Sequence, residues 1–283
     1  QALNHTNSNG NTALMSASYH GNTGVVRLLL NTLREAGTDR LLAALNQPNN
    51  NGDTALISAS NYGNTETVQL LLKTLREAGA NITQALNHAN NKGDTALISA
   101  SYHGKTEVIQ LLLNTLREAG TDIIEATNHA DNRGRTTLMW ASGNGHIEVV
   151  KHLLNALRDA SAERLLAALN HADNDGNTAL LLASYTGRTW VSPKIHAEIM
   201  QLLLNALRNA NADIPQALNH ANSRGNTALL IASRAGKTVI VQWLLNALSD
   251  ANADIHQALN HANNDGNTAL LMASHADHTA MVQ

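Results

Sequence analysis

The chain has 283 residues, of which 14% are charged, and its formal net charge at pH 7 is −3. This balance predicts no nucleic-acid partner, and the lack of cysteine excludes disulfides and thiol chemistry. No apolar run approaches the roughly 18 residues of a membrane-spanning helix, so we expect no membrane partner and a cytoplasmic location.

A five-residue motif, Gly-Asn-Thr-Ala-Leu, returns along the whole chain. It starts at Gly10 and recurs with small changes at intervals of 42, 41, 41, 42, 49 and 41 residues. The later copies start at Gly52, Gly93, Gly134, Gly176, Gly225 and Gly266. A fixed period in this range predicts one array of stacked units rather than two ordinary domains. The predicted units are 4–45, 46–86, 87–127, 128–169, 170–218, 219–259 and 260–283.

The third unit shows the elements expected in each repeat. A polar turn at 87–92 precedes a first helix over about 95–102, which Thr95 is placed to cap. Gly104 turns the chain into a second helix over about 106–119. Apolar spacing predicts the buried faces. They comprise Leu97, Ile98 and Ala100 in the first helix and Val108, Ile109, Leu112, Leu113 and Leu116 in the second.

A short third helix is expected to lengthen each repeat. Residues 81–86 and 213–218 begin with Asn or Asp, which favour the N-cap position. Pro215 lies near the start of its segment, where a helix tolerates proline. We expect this helix to carry Leu86 or Leu218 into the core.

The fifth unit carries an eight-residue insertion at 190–197 that includes Ser192-Pro193. The proline predicts a loop rather than a longer helix. Insertions in repeat arrays often lie on the binding face. The insertion is therefore either a recognition loop that exposes Trp190 or a surface loop without a function of its own.

The chain begins and ends within a repeat. Residues 1–5 match residues 84–88, and residues 279–283 correspond to residues 106–110. Because repeat arrays need polar caps, we expect a fragment of a longer chain whose uncapped ends allow self-association.

The stretch from Gly134 to Leu154 resembles the ankyrin repeat. The family pattern is Gly-x-Thr-Pro-Leu-His-x-Ala, then Gly-His and an apolar helix with Leu-Leu. This stretch has Gly134, Thr136, Leu138, Ala141, Gly145-His146, Val149-Val150 and Leu153-Leu154. The resemblance covers essentially the whole chain. It implies an all-α, ankyrin-type helical solenoid with two antiparallel helices, the extra short helix and a finger loop per repeat.

Three departures mark an elongated, divergent subfamily. The repeats span about 41 residues against about 33 in the family. The family proline is Ala in six repeats and Thr137 in the fourth, and the family histidine is apolar throughout. That histidine normally links neighbouring repeats by hydrogen bonds, so the resemblance implies that packing replaces those bonds here.

The aromatic residues give the first candidate site. All four tyrosines fall on the two variable positions before the turn glycine, which line the concave groove in the ankyrin fold. Tyrosine is favourable at interfaces. The candidate partner-binding residues are Tyr19, His20, Tyr62, Tyr102, His103, Trp140, Asn144, Tyr185 and Arg234. Alternatively, the tyrosines only pack on the neighbouring turn.

Arginines of the later fingers and the insertion give a second candidate set. It comprises Arg133, Arg135, Arg188, Trp190 and Arg224. An acidic or polar segment of a partner would lie across Arg133, Arg135 and Arg224. The alternative is that these residues belong to ordinary solvated turns.

Histidine recurs at one equivalent position before the finger. The residues are His5, His88, His129, His171, His220 and His261. Neighbouring repeats are expected about 10 Å apart, too far for two such histidines to share zinc. A stacked ladder or hydrogen bonds to turn backbone are expected instead, with no metal and no cofactor. The sequence also lacks a recognisable catalytic motif, so we expect no enzyme.

These features favour a non-catalytic scaffold that binds a partner peptide or protein surface in its groove. An alternative is the targeting arm of a larger multidomain enzyme, such as a secreted bacterial effector acting in the host cytoplasm. A third hypothesis is a self-assembling structural array. The identity of the partner does not follow from the sequence.

Overall fold

The computed structural model describes residues 2–185, 192–275 and 278, and the elements in this part of the chain are helices. Two compact units comprise Gln1–Asn132 and Arg133–Gln283, called the N-terminal and C-terminal units below. The predicted all-α solenoid is confirmed. The seven repeat boundaries given above stay a prediction. No helix in the described part of the chain is long and apolar enough to cross a membrane.

The N-terminal unit contains three successive sets of three α-helices after a short 3-10 helix, Ala2–Asn4. The first helices of the sets pack side by side, and the second helices form a layer behind them. The helices are α1 (Ala13–Tyr19), α2 (Thr23–Glu35), α3 (Thr38–Asn46), α4 (Ala55–Tyr62), α5 (Thr65–Glu77), α6 (Ile82–Asn87), α7 (Ala96–Tyr102), α8 (Thr106–Glu118) and α9 (Ile123–Asn128).

The C-terminal unit repeats this order. Its first-layer helices α10, α13, α16 and α19 pack in sequence, and α11, α14 and α17 form the second layer. The helices are α10 (Thr137–Asn144), α11 (Ile147–Leu157), α12 (Ala162–Leu169), α13 (Ala179–Ser184), α14 (Pro193–Asn209), α15 (Ile214–Leu218), α16 (Ala228–Arg234), α17 (Thr238–Asp250), α18 (Ile255–Asn260) and α19 (Ala269–His275).

A threonine cap begins the first-layer helices, as the sequence predicts. In α7 the Thr95 hydroxyl accepts a hydrogen bond from the Ile98 amide at 3.3 Å, which satisfies one of the free amides of the first turn. The predicted inward residues Leu97, Ile98 and Ala100 are all buried. At the other end of such a helix, Gly145 has φ +76° and ends α10, which confirms its predicted role.

The second and third helices are also confirmed. The predicted stripe of α8 is completely buried, from Val108 to Leu116. The third helix begins at the predicted caps, since the Asn81 side chain accepts from the Gln84 amide and Asp213 accepts from the Gln216 amide. Each carries a buried leucine, Leu86 in α6 and Leu218 in α15.

The insertion of the fifth repeat departs from the sequence prediction. Residues 186–191, including Arg188 and Trp190, lie outside the described residues. The rest of the insertion is helical, because α14 begins at Pro193 with Ser192 as its cap and is 17 residues long, against 13 in α5, α8 and α17. The prediction of a loop over this part was wrong because proline is tolerated in the first turn of a helix.

Candidate functional site

The finger loops form one wall of the candidate site, and one Asn or Asp residue shapes each turn. The Asn49 side-chain oxygen accepts hydrogen bonds from the backbone amides of Asn51 and Asp53, both at 2.9 Å. The same pattern recurs at Asn7, Asn90, Asp173, Asn222 and Asn263. These turns hold each finger in a fixed form before any partner arrives.

Hydrogen bonds also join each finger to the next within a unit. The Asn50 amide donates to the Asn9 carbonyl at 3.1 Å, and the Asn91 amide donates to the Asn51 carbonyl at 2.9 Å. Side chains add to this ladder, as when the Asn222 amide group donates to Asn177 Oδ1 at 2.9 Å. The wall is therefore rigid, which lowers the entropic cost of binding.

The recurring histidines link neighbouring repeats. His88 Nε2 lies 3.0 Å from the Gly52 carbonyl oxygen of the preceding finger, so the ring donates this bond. His129, His171, His220 and His261 make the equivalent contact at 2.9 to 3.2 Å. The predicted bond to turn backbone is confirmed for these five. The expectation that packing alone replaces the hydrogen bonds of the family histidine was wrong, because a histidine elsewhere in the repeat supplies them.

A groove of about 590 Å³ lies between the fingers and first-layer helices of the N-terminal unit. The hydroxyl side chains Ser16, Ser58 and Ser99 line it together with the asparagines of the fingers. The predicted residues Tyr19, His20 and Tyr62 lie at its side. This groove is predominantly polar, so it offers hydrogen bonds rather than apolar area to a partner.

Two of its tyrosines form a pair. The rings of Tyr19 and Tyr62 have centroids 4.0 Å apart at an interplanar angle of 47°, and both side chains remain exposed. The hydrogen bond that the Tyr62 hydroxyl donates to Tyr19 raises the pKa of Tyr62, with burial as a smaller cause. The His20 ring packs edge-on against Tyr19, while its Nδ1 donates to the Ser16 carbonyl at 2.8 Å. The tyrosines thus pack on each other and still face the groove.

The corresponding groove of the C-terminal unit has about 580 Å³ and a different floor. The helix position occupied by serine in the first three repeats here carries an apolar side chain in each of four repeats. These are Trp140, Leu182, Ile231 and Met272. Leu182 and Ile231 are buried, whereas Trp140 and Met272 are half-buried. The floor is therefore apolar along the row, and Trp140 and Met272 expose most of its apolar surface.

Arg135 is fixed in place beside this floor. Its Nε donates to Asp173 Oδ2 at 3.1 Å, and the guanidinium carbon lies 4.7 Å from the centroid of the Trp140 ring. The other carboxylate oxygen of Asp173 accepts from the amides of Asp175 and Asn177. The Asp173 side chain is only 1% exposed, and its two oxygens bind Arg135 and the finger backbone at the same time. Arg135 is therefore a positioning residue, because its ion pair holds the carboxylate that shapes the finger.

Two other arginines of the groove are placed differently. Arg224 on a finger and Arg234 at the end of α16 have exposed side chains and line the groove. The ion pairs of the described C-terminal residues involve neither of them. Asp175 is the carboxylate that shares this lining with them. The structure therefore leaves positive charge at the edge of an apolar floor.

The remaining sequence candidates fall in several environments. Tyr185 is 53% exposed at the groove, and Asn144 lies there with its side chain buried. Tyr102 is half-buried and stacks edge-on with His103 at 4.6 Å. Arg133 is exposed on a finger. The candidate list missed Leu182, Ile231 and Met272, although their replacement of serine was the signal that could have identified them.

No group of potential metal ligands occurs among the residues that the structure describes. A family model of ankyrin repeats, built of three copies, matches residues 1–85, 34–125, 74–163, 123–215 and 194–283. Together these matches span the chain. The search of curated proteins finds no match.

Proposed function

Because this chain belongs to the ankyrin repeat family, whose repeats are generally protein–protein interaction modules, we propose that it is a non-catalytic scaffold. It would bind a segment of a partner protein in the groove of its C-terminal unit. The observation that carries this proposal is the row of four apolar side chains, from Trp140 to Met272, on successive first-layer helices.

The energetics favour this groove as the main source of affinity. Apolar area removed from water contributes about 25 cal/mol per Å², and in this row the half-buried Trp140 and Met272 supply most of that area. The polar groove around Tyr19 and Tyr62 exchanges hydrogen bonds to water for hydrogen bonds to a partner, with a net gain of only about 1 kcal/mol each. The polar groove would therefore contribute more to specificity than to affinity.

Affinity capture from cell lysate, with mass spectrometry of retained proteins, tests this function. The groove variant combines Trp140→Ser and Ile231→Ser, which install the residue that the first three repeats carry at this position. The matched control is Val239→Ser, which removes a 49% exposed apolar side chain that does not line the groove. Circular dichroism should show the same helix content in all three proteins.

We expect a protein that wild type and control retain and that the groove variant loses. The same proteins retained by all three would place binding elsewhere, and no retained protein in any of them would contradict a scaffold function.

The alternative of a targeting arm for a larger enzyme, including an effector in a host cytoplasm, uses the same groove and differs only in its cargo. A catalytic domain in a longer form of the chain would favour it. The self-assembling array is tested by light scattering over a concentration series, since association would increase the apparent mass.

A further inference from the structure

We propose that the C-terminal groove takes an extended peptide segment with two apolar side chains three residues apart and at least one carboxylate beside them. This inference rests on the proposed function and specifies the chemistry of the partner. It is drawn from the apolar row, the spacing of the helices that carry it, and the two arginines at its edge.

The spacing of the apolar row favours one backbone conformation. Packed helices lie about 8–10 Å apart, so neighbouring members of the row, such as Leu182 and Ile231, are separated by about one such step. A polyproline II segment rises about 3.1 Å per residue with three residues per turn, so every third side chain recurs on one face after about 9 Å. A β-strand places same-face side chains about 6.7 Å apart, which is too short for this step.

The charge at the edge of the row indicates that the peptide carries a carboxylate. Arg224 and Arg234 bring two positive charges to the groove, and Asp175 brings one negative charge. Arg135 adds nothing to this balance because Asp173 already pairs with it. One positive charge is therefore left over next to the apolar floor, where a carboxylate of the partner would form charge-assisted hydrogen bonds with a guanidinium.

The position of these arginines indicates where the carboxylate of the peptide lies relative to its apolar side chains. Arg234 is the last residue of α16, the helix that also carries Ile231, and Arg224 lies on the finger that leads into α16. The carboxylate is thus expected within a few residues of the apolar side chain that contacts Ile231. Lysine or arginine at the same place in the partner would be repelled.

The test is a selection of random dodecapeptides displayed on phage against the whole chain. Parallel selections use the Trp140→Ser/Ile231→Ser variant, an Arg224→Gln/Arg234→Gln variant and the Val239→Ser control. We expect wild type and control to enrich peptides with apolar residues at positions i and i+3 and a nearby Asp or Glu. The serine variant should lose these peptides, and the glutamine variant should lose the preference for Asp or Glu.

Synthetic peptides then measure how much the two arginines contribute to binding affinity. For a fluorescently labelled copy of an enriched peptide, Arg224→Gln/Arg234→Gln should weaken binding about two- to fivefold, the range for an ion pair at a solvated edge. Replacing Glu by Gln in the peptide should weaken its binding to wild type by the same factor. The same replacement should not weaken its binding to the Arg224→Gln/Arg234→Gln variant any further. Binding to wild type should also fall as NaCl rises from 50 to 500 mM.

The outcomes separate the two proposals. Peptides that need Trp140 and Ile231 but are neutral, basic or lack the three-residue spacing would overturn this inference and leave the proposed function standing. If no enriched peptide depends on the groove residues, the proposed function fails together with it.

Discussion

At the residue scale, the finger ladder of the N-terminal unit brings two carboxylates, Asp94 and Asp131, near each other. At the preceding step an amide faces the carboxylate, since Asn90 Nδ2 donates to Asp53 Oδ1 at 2.7 Å. At Asp94 the neighbour is the carboxylate of Asp131, and burial together with this negative charge raises the pKa of Asp94. A carboxyl whose pKa is raised by folding stabilises the folded state at low pH, and this stability is lost as pH rises through the folded value.

Replacing Asp94 by Asn should therefore stabilise the protein at neutral pH. The amide removes the repulsion and has an N–H group that can donate to Asp131. The first, fifth, sixth and seventh repeats carry Asn at this position. We expect the free energy of unfolding to rise by about 0.5–1 kcal/mol, measured by urea denaturation at pH 7. The gain should shrink as pH falls toward the raised pKa of Asp94, because the protonated carboxyl no longer repels Asp131.

The matched control is Asp53→Asn, which removes a carboxylate that accepts the Asn90 amide group. This change should give no gain. An equal gain from both substitutions would attribute the effect to net charge rather than to the Asp94–Asp131 pair.

His196 is a second residue with a predictable pH dependence. It lies in the first turn of α14 with no exposed surface, and neither ring nitrogen makes a hydrogen bond of good geometry to the described residues. Burial lowers its pKa from 6.5, Lys237 lowers it further, and the backbone of Ala183 offsets part of this shift. Because the folded state disfavours the charged ring, its stability is full above pH 6.5 and falls as pH decreases below that value.

We expect His196→Phe to lower the pH dependence of unfolding. Wild type should lose about 1 kcal/mol more than the variant between pH 7.5 and pH 5.5, since one pKa unit corresponds to about 1.4 kcal/mol. Urea denaturation at the two pH values measures this difference. The exposed His20→Gln serves as the control, and an unchanged slope for His196→Phe would assign the pH dependence to other groups.

At the element scale, the fingers depend on glycine at the turn. Gly52 has φ +82°, and a β-carbon there would lie 2.7 Å from the backbone nitrogen of Asn91 in the next finger. Gly52→Ala should therefore cost about 2 kcal/mol or more, from the left-handed conformation and the displaced ladder. Urea denaturation at pH 7 measures the loss.

Gly24→Ala is the matched control for Gly52→Ala, and we expect it to have the opposite effect on stability. Gly24 lies within α2, and a β-carbon there meets nothing within 4 Å. Alanine should stabilise this helix by up to about 1 kcal/mol. If both alanine variants changed stability in the same direction, backbone conformation would not explain the Gly52 result.

At the scale of the whole molecule, repeat arrays are held together by contacts between neighbours. The damage from Gly52→Ala should therefore be local. Native-state hydrogen exchange should accelerate most in α4 and in its packing partners α1 and α7. Uniform acceleration throughout the N-terminal unit would instead indicate that this unit unfolds as one cooperative body.

The two grooves should also contribute unequally to binding. For a partner obtained by affinity capture, Trp140→Ser should weaken binding at least tenfold because it removes a large apolar side chain from the floor. Tyr62→Ala, in the polar groove, should change affinity by less than about threefold. Isothermal titration of each variant measures this, and a larger loss for Tyr62→Ala would move the main site to the N-terminal unit.

The sequence by itself determined the repeat, the helices and their buried faces. These features depend on short-range patterns: Thr95 lies three residues before the amide that it caps, and the stripe of α8 recurs every three or four residues. The same local logic misjudged Pro193, since a proline signals a loop and a helix start equally well.

Only the tertiary structure decided how residues from different repeats meet. His88 reaches the Gly52 carbonyl, Arg135 pairs with Asp173, and Trp140 lines one groove with Ile231. These partners lie 36 or more residues apart in sequence, so the contact between them depends on how the repeats stack. Only the stacked layers show which carboxylate lies beside each arginine. They distinguish Arg135, which pairs with the buried Asp173, from Arg224 and Arg234 at the groove edge.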